Sequence, residues 1–135
     1  DALLALYQHL HPEDQPLPAR DQVAAVWQAI LANPGQQCFG LYRDAQLVAS
    51  CSLNLVANLT RGCRPFALIE NVVTHCEHRG RGYGQALLAH AQAFAWGQGC
   101  YKVMLMTGRK DEATLRFYES AGFDRQGKQA FIARP

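Results

Sequence analysis

A turn rich in glycine and arginine is the segment whose residue types point most directly to chemistry. It reads Arg-Gly-Arg-Gly-Tyr-Gly over Arg79–Gly84 and lies between an apolar, β-branched run and an amphipathic segment. Strand, glycine turn and helix in this order can bind phosphate, because backbone N–H groups and the helix N-terminus point into the turn. The turn is neither a Walker loop nor the G-x-G-x-x-G dinucleotide fingerprint. By itself it therefore predicts either a phosphate cradle or a tight structural turn.

A carboxylate inside an apolar run is the second feature with chemical potential. Glu70 lies within Phe66–Thr74, and strand alternation predicts that residues 68, 70 and 72 share one face. A carboxylate can take a proton from an ammonium, directly or through water. Burying one alone is costly, so we expect it to be paired or to take part in chemistry. Glu70 is therefore predicted to be either a general base or a carboxylate that orients the substrate or supports the structure.

The stretch His75-Cys76-Glu77-His78 has residue types that bind metals. Neighbours on one loop rarely share an ion, so we expect no metal site. Either histidine could serve as a base, but a surface position is the expectation for both. The five cysteines form no C-x-x-C pair, and their odd number argues against a disulfide framework. We expect buried free thiols in a reducing cytoplasm.

The elements that must position these residues follow from hydrophobic periodicity and from glycine and proline breakers. Helices are predicted over residues 1–10 and 20–32, from the end of the glycine turn to about residue 97, and over 111–120. Strands are predicted over 38–43, 46–56, 66–74, 100–106, 123–125 and 129–133. A loop is predicted over 58–65. The strand 100–106 reads as too apolar for a sheet edge, and the spacing of Trp27 and Trp96 predicts core positions. The order predicts an α/β (α+β) fold with a mixed, mostly antiparallel sheet flanked by helices.

Composition limits the class of protein. The chain has 135 residues, 49% of them apolar and 18% charged, with a formal net charge of +2 at pH 7. This predicts one folded domain over residues 1–135 and excludes intrinsic disorder. The small charge argues against a dedicated nucleic-acid binder. No apolar run approaches the roughly 18 residues of a membrane span, and no signal peptide is evident, so we expect a cytoplasmic protein without a membrane partner.

Three segments taken together resemble the GNAT superfamily of acyl-CoA-dependent N-acetyltransferases. They are Ile69–Thr74, the turn Arg79–Gly84, and Phe117–Phe123 with its F-Y-x-x-x-G-F pattern. Their order and spacing fit the family pattern from about residue 67 to residue 123. The resemblance implies the GNAT fold. Within the superfamily, Ile69–Val73 and residues 99–103 are similar to the glucosamine-6-phosphate N-acetyltransferases.

The sequence departs from the family pattern at two places. Family members usually begin with a strand before the first helix, whereas this chain begins inside that helix. Either the strand lies upstream of Asp1 or the sheet is one strand short. Many members also carry an asparagine four residues before the motif tyrosine, where this chain has Thr114.

The resemblance implies a role for each residue of the motifs. The CoA pyrophosphate would be cradled by Arg79, Gly80, Arg81, Gly82, Tyr83 and Gly84, and the pantetheine arm held by Val72, Val73 and Thr74, with Thr114 and Phe117 near the cofactor. The N–H of Val72 would also reach the thioester oxygen as an oxyanion donor. Tyr118 would protonate the leaving thiolate, unless it is only a packed helix tyrosine. Glu70 would act as the general base.

The function implied is acetyl transfer from acetyl-CoA to a primary amine of a small metabolite, by direct attack in a ternary complex. Two alternatives stay open: a protein or peptide N-acetyltransferase, and a non-catalytic CoA-binding regulatory module. Residues 1–32 and the loop 57–65 would form the amine pocket, where Glu13 and Asp14 could help Glu70 attract a cation. Cys76 lies away from the expected thioester, which argues against an acyl-enzyme. A homodimer is left open.

Overall fold

A four-stranded sheet lies at the centre of the structure, a computed structural model that describes all 135 residues. Its strands are β1 (Gln36–Arg43), β2 (Gln46–Val56), β3 (Phe66–Thr74) and β4 (Val103–Leu105). They lie side by side in chain order. The β1–β2 and β2–β3 pairs are antiparallel, and β3–β4 is parallel. The predicted mixed, mostly antiparallel sheet is confirmed.

Five helices accompany the sheet. They are α1 (Ala2–Tyr7), α2 (Arg20–Ala32), α3 (Thr60–Cys63), α4 (Tyr83–Gly97) and α5 (Glu112–Ser120), and a 3₁₀ turn covers Cys76–His78. The bounds of α2, β2 and β3 agree with the predictions, and α4 ends where predicted but begins inside the glycine turn. The short turn α3 replaces part of a predicted loop, and its backbone is irregular, since Arg61 has a φ of 58°. None of the helices combines the length and apolarity needed to cross a membrane.

Both faces of the sheet are covered, which is why residues 48–53 of β2 are all buried. On one face, Cys51 and Leu53 join the apolar stripe of α4, including Leu88 and Ala91, in the main core cluster. On the other face α1 contributes the buried Leu6, and α1 contacts β2 and β3. The sheet thus holds the first half of β3, including the buried Ala67 and Ile69, between two packed layers.

The predicted C-terminal strands 123–125 and 129–133 are wrong, because no strand follows α5. The guanidinium of Arg125 instead donates hydrogen bonds to the carboxylates of Glu112 and Glu119, which ties this segment to α5. Phe131 is 91% exposed. The apolar strand near residue 103 was predicted to lie inside the sheet. It is an edge strand and only three residues long.

Two further expectations about burial need correction. Trp27 and Trp96 are 37% and 50% exposed, so neither is a core residue. All five cysteines are free, as predicted. Their predicted burial holds for Cys51 and Cys100 but fails for Cys63 and Cys76, which are exposed on turns.

Candidate active site

The parallel strands β3 and β4 part in the middle of β3. The parallel pairing of β3 with β4 ends at Ile69 opposite Leu105, so the rest of β3, through Thr74, has no partner on that side. A cavity of about 1050 Å³ opens in the gap between this free edge and the chain that follows β4. The free edge offers backbone groups to whatever enters the cavity, as an unpaired strand edge does.

Almost all residues predicted from the sequence line this one cavity. They are Glu70, Val72, Val73, Thr74, Arg79, Gly80, Gly82, Tyr83, Gly84, Thr114, Phe117 and Tyr118. Arg81 is the exception, since it is exposed and does not line the cavity. The structure therefore brings the end of β3, the glycine turn and α5 together, although the chain separates them by up to about fifty positions.

A β-bulge at Asn71 changes the geometry of β3. Ser52 pairs with Glu70 but Ser50 pairs with Val73, so β3 holds one extra residue there. Asn71 has a φ of 54°, a left-handed conformation that asparagine tolerates better than most residues. The extra residue leaves Asn71 and Val72 without partners in the β2 register. Their backbone groups are thereby placed at the cavity.

The bulge also overturns the predicted alternation. Residues 68, 70 and 72 do not share a face, since Val72 packs against the α4-side cluster whereas Glu70 pairs with Ser52 on the other face. Asn71 was not singled out from the sequence. An asparagine inside a strand rich in β-branched residues was the available signal, because asparagine is unfavourable in a regular strand and better suited to a bulge or turn.

Glu70 is exposed and its carboxylate forms no ion pair or hydrogen bond with another side chain. Only its backbone oxygen is engaged, accepting from the hydroxyl of Ser52 at 3.1 Å. Of the two expectations for this carboxylate, a partner or a part in chemistry, the structure shows no side-chain partner. The side chain lines the cavity.

Tyr118 lies half-buried on the α5 wall of the cavity. Its ring packs edge-on against Phe117 at 5.0 Å and Phe123 at 6.4 Å. Burial raises the pKa of Tyr118 above its ordinary value, the positive charge of Arg109 lowers it, and the Glu70 carboxylate raises it. The structure is compatible with both interpretations of Tyr118, a packed helix tyrosine and a proton donor. Its ring is packed in the helix, and its hydroxyl carries a proton at neutral pH beside the cavity.

The glycine turn at the start of α4 is open on its cavity side. Gly82 has a φ of 80°, and a Cβ added there would meet no atom within 4 Å. Gly82 is the N-cap of α4 and supplies no side-chain hydrogen bond, so the first N–H groups of the helix keep no cap. An open turn with free N–H groups at a helix N-terminus fits a phosphate group.

Gly84 has a different reason to be glycine. A Cβ there would lie 2.8 Å from the Cζ atom of Phe117 and 3.4 Å from the Thr74 hydroxyl. The absence of a side chain at Gly84 therefore lets α5 pack closely on the start of α4. This contact fixes the α5 wall of the cavity relative to the turn.

The Arg79 side chain is already engaged within the chain. Its Nε donates to the backbone oxygen of Thr74 at 3.2 Å, and its Nη2 donates to the backbone oxygen of His9 at 3.1 Å. Arg79 therefore ties the segment after α1 to the end of β3. Arg79 lines the cavity, and its guanidinium already binds a backbone oxygen on each side.

Two arginines flank Tyr83 at the first position of α4. Arg43, at the end of β1, donates a hydrogen bond to the Tyr83 hydroxyl at 2.5 Å. This hydrogen bond lowers the pKa of Tyr83, with a further contribution from Arg81. Arg43 has no motif around it and was missed from the sequence, because its proximity to Tyr83 arises only when β1 is placed in the sheet.

The loop between β4 and α5 adds charged residues that the sequence did not single out. The Asp111 carboxylate accepts from the N–H of Thr114 at 3.0 Å and from its hydroxyl at 2.9 Å, which caps α5. Arg109 donates to the same carboxylate at 3.0 Å. These hydrogen bonds lower the pKa of Asp111, those from Thr114 most strongly. The Thr114 hydroxyl therefore already donates to the Asp111 carboxylate, although Thr114 also borders the cavity.

Only a few of the residues in 1–32 and 57–65, which were predicted to form the amine pocket, line the cavity. His9, Leu10 and His11 line the cavity. Neither α2, the carboxylates of Glu13 and Asp14, nor the segment 57–65 lines it. His78 does line it, and its Nδ1 atom is buried without a hydrogen-bond partner, so the expectation that this histidine is a surface residue is wrong.

Comparisons with known proteins agree with this arrangement. The model of the acetyltransferase (GNAT) family matches residues 2–123. A glucosamine 6-phosphate N-acetyltransferase from Trypanosoma brucei brucei is 38% identical over 84 residues, which are 62% of this chain and 55% of that protein. An aminoglycoside N(6')-acetyltransferase type 1 from Serratia marcescens is 29% identical over 139 residues, covering 99% of this chain and 91% of that protein.

A solved structure extends the comparison over nearly the whole chain. The structure of a proposed acetyltransferase from Agrobacterium tumefaciens str. C58 is 48% identical and superposes with a TM-score of 0.93, covering 99% of this chain and 92% of that one. The GNAT family consists of acyl-CoA-dependent N-acetyltransferases. With its parted strands, its glycine turn and a family match over most of its length, this chain belongs to the GNAT family of acetyltransferases.

Proposed function

We propose that the protein transfers the acetyl group of acetyl-CoA to a primary amine of a small metabolite, by direct attack in a ternary complex. The observation that carries this proposal is a single cavity that joins the free edge of β3 to the open turn at the start of α4. In this proposal residues 1–135 act as one cytoplasmic acetyltransferase domain. Acetyl-CoA supplies the acetyl group as a thioester.

The phosphate end of the donor is assigned to the glycine turn. Backbone N–H groups at Gly82 and at the start of α4 face open space, and Arg81 adds positive charge nearby. A helix N-terminus with free N–H groups favours an anion there. Gly80 and Gly82 keep the approach open because they have no side chain.

The thioester end is assigned to the free edge of β3. The backbone groups of Val72, Val73 and Thr74 hydrogen-bond the pantetheine arm as a neighbouring strand would. The bulge at Asn71 leaves the N–H of Val72 without a partner in β2, so it can donate to the carbonyl oxygen of the thioester. A fixed N–H at that oxygen stabilises the negative charge that develops there during attack.

Two side chains move protons in this scheme. Glu70 takes a proton from the ammonium form of the acceptor, directly or through water, which frees the lone pair for attack on the acetyl carbon. The carbon–sulfur bond breaks, and Tyr118 gives its proton to the departing sulfur. No cysteine takes part, since Cys76 does not line the cavity.

The acceptor is proposed to be an amine carried by a sugar. The support is similarity, because one relative is named for glucosamine 6-phosphate and another for aminoglycosides. The cavity also offers both signs of charge to a polar amine, Glu70 for the ammonium and Arg109 for an anionic group. The alignment covers only 55% of the first of these relatives, so the acceptor must be identified by assay.

The test is release of free CoA thiol from acetyl-CoA across a panel of amines. The panel contains glucosamine 6-phosphate, glucosamine, an aminoglycoside, a lysine-containing peptide and a peptide with a free N-terminus. We expect turnover of an amino sugar, and its loss in Glu70→Gln but not in Asp14→Asn, whose carboxylate lies outside the cavity. Turnover of peptides alone would identify a protein acetyltransferase. Acetyl-CoA binding without turnover of any amine would identify a CoA-binding module.

A further inference from the structure

Three side chains with metal-binding atoms meet beside the cavity, although the chain separates them widely. The ligand atoms of His9, His75 and Cys76 all lie within 4.8 Å of one another. His9 follows α1, whereas His75 and Cys76 begin the turn after β3. The rings of His9 and His75 are 4.1 Å apart. His9 lines the cavity described above, but His75 and Cys76 do not, so the cluster lies at the border of that cavity.

Backbone hydrogen bonds hold both segments of the cluster in place. The N–H of His75 donates to the backbone oxygen of Val48 at 2.9 Å, which anchors the start of the turn to β2. The Arg79 guanidinium bridges the backbone oxygens of Thr74 and His9. The side chains of His9 and His75 therefore meet on a framework that does not depend on their own contact.

The donor set selects a class of ion. Two imidazoles and one thiolate suit Zn²⁺, which prefers four ligands and accepts nitrogen and sulfur. Bond lengths of about 2.0–2.3 Å bring tetrahedral ligand atoms to roughly 3.5 Å from one another, so the side chains must close by about 1 Å. Cys76 is exposed and can turn. The contact from the N–H of Glu77 to His75 Nδ1 is long, at 3.3 Å, and is easily replaced.

We propose that His9, His75 and Cys76 bind one zinc-type divalent ion, with water in the fourth position. Binding forms two nitrogen–metal bonds and one sulfur–metal bond, and the thiol proton of Cys76 is released to solvent. The ion clamps the segment after α1 to the turn that leads into the glycine cradle. This proposal differs from the expectation of no metal site, which rested on the neighbours in His75–His78 alone and not on His9, 66 positions before His75.

The experiment uses Co²⁺ as a visible substitute for Zn²⁺ on the full chain stripped of metal by a chelator. We expect one equivalent of Co²⁺ to bind with a thiolate-to-cobalt charge-transfer band, and Zn²⁺ to displace it. Cys76→Ser should abolish the band, and His9→Ala should weaken Co²⁺ binding by at least roughly tenfold. Zn²⁺ should raise the melting temperature of the wild type by mass action but not that of Cys76→Ser.

Matched variants separate this site from incidental binding. Cys63→Ser removes another exposed thiol, and His11→Ala removes an exposed histidine two positions from His9, so neither should change the band. Circular dichroism reports whether each variant is folded. The proposal is overturned if the wild type takes up no Co²⁺, if the band survives Cys76→Ser, or if Cys63→Ser removes it. None of these measurements depends on acetyl transfer. Failure of the metal-site proposal can therefore be distinguished from failure of the proposed function.

Discussion

The Glu70 side chain combines two properties that a general base needs. It lines the cavity beside the bulge that presents the Val72 backbone, and no cation or hydrogen-bond donor from another side chain engages its carboxylate. A carboxylate held in an ion pair would accept a proton less readily, because the partner's charge favours its ionised form. The freedom of Glu70 therefore supports a role as base over a purely structural role.

Glu70→Gln is expected to lower kcat by roughly 10²–10⁴ at neutral pH, because the amide cannot take the proton of the ammonium. The loss should shrink at high pH, where the amine is already neutral. Steady-state kinetics from neutral to alkaline pH measure both effects, with Asp14→Asn as the control. A rise in KM with unchanged kcat would instead make Glu70 a group that only binds the substrate.

Tyr118→Phe is expected to lower kcat clearly while leaving acetyl-CoA affinity nearly unchanged, because the ring contacts with Phe117 and Phe123 remain. The pKa of Tyr118 is raised chiefly by burial, so the proton donor persists to higher pH than in a free tyrosine. Activity that depends on it is lost as the pH rises through that raised pKa, and the variant should lack this alkaline loss.

A donor with a more acidic leaving thiol provides the control for Tyr118. Its thiolate departs with less help from a proton, so the variant should lose less activity with this donor than with acetyl-CoA. Equal losses with both donors would show that Tyr118 acts by packing or positioning. Titration calorimetry with CoA checks that affinity is retained.

At the scale of elements, the site depends on where β3 loses its partners. The pairing with β4 stops at Ile69, the pairing with β2 is interrupted at Asn71, and the open turn of α4 lies beyond Thr74. One strand thus carries the proposed base, the proposed oxyanion donor and the edge for the pantetheine arm. A regular β3 paired on both sides would offer none of these backbone groups.

Gly82→Asp is expected to abolish the rise in melting temperature that acetyl-CoA produces by binding the native state. The substitution places a side chain and a negative charge in the open turn, where Gly82 has a φ of 80°. Thermal unfolding with and without acetyl-CoA measures the effect. Gly97→Ala is the matched control, since its Cβ also meets no atom within 4 Å but lies at the far end of α4. An unchanged shift in folded Gly82→Asp would show that the turn is not the cradle.

Most elements could be predicted from local pattern, but their tertiary contacts could not. The bounds of α2, β2 and β3 and the end of α4 were predicted correctly because apolar periodicity and glycine or proline breakers are local signals. The bulge at Asn71 was missed because strict alternation assumes that each residue of β3 lies opposite one residue of β2. The contacts of Arg43 with Tyr83 and of His9 with His75 depend on tertiary placement, which no spacing along the chain reveals.

At the scale of the molecule, the C-terminal segment adds no strand to the sheet. Residues 129–133 include the apolar Phe131 and Ile132, yet the chain runs past α5 without pairing and leaves β4 as an edge. Arg125 forms ion pairs with both Glu112, the first residue of α5, and Glu119, its second-last residue. These contacts set the direction in which the chain leaves the helix.

Arg125→Met is expected to lower the melting temperature at neutral pH, with a difference from wild type that shrinks in acid. Hydrogen bonds from Arg125 hold the pKa values of Glu112 and Glu119 below their ordinary value of 4.5. A lowered folded-state pKa stabilises the protein above pH 4.5, and this contribution is lost as the pH falls through the lowered values. Thermal unfolding from neutral pH to below pH 4 measures both curves. Arg134→Met, which removes an arginine without an ion pair from the same tail, should follow the wild type at every pH. A difference between Arg125→Met and wild type that stays constant in acid would mean that Arg125 acts through packing rather than charge.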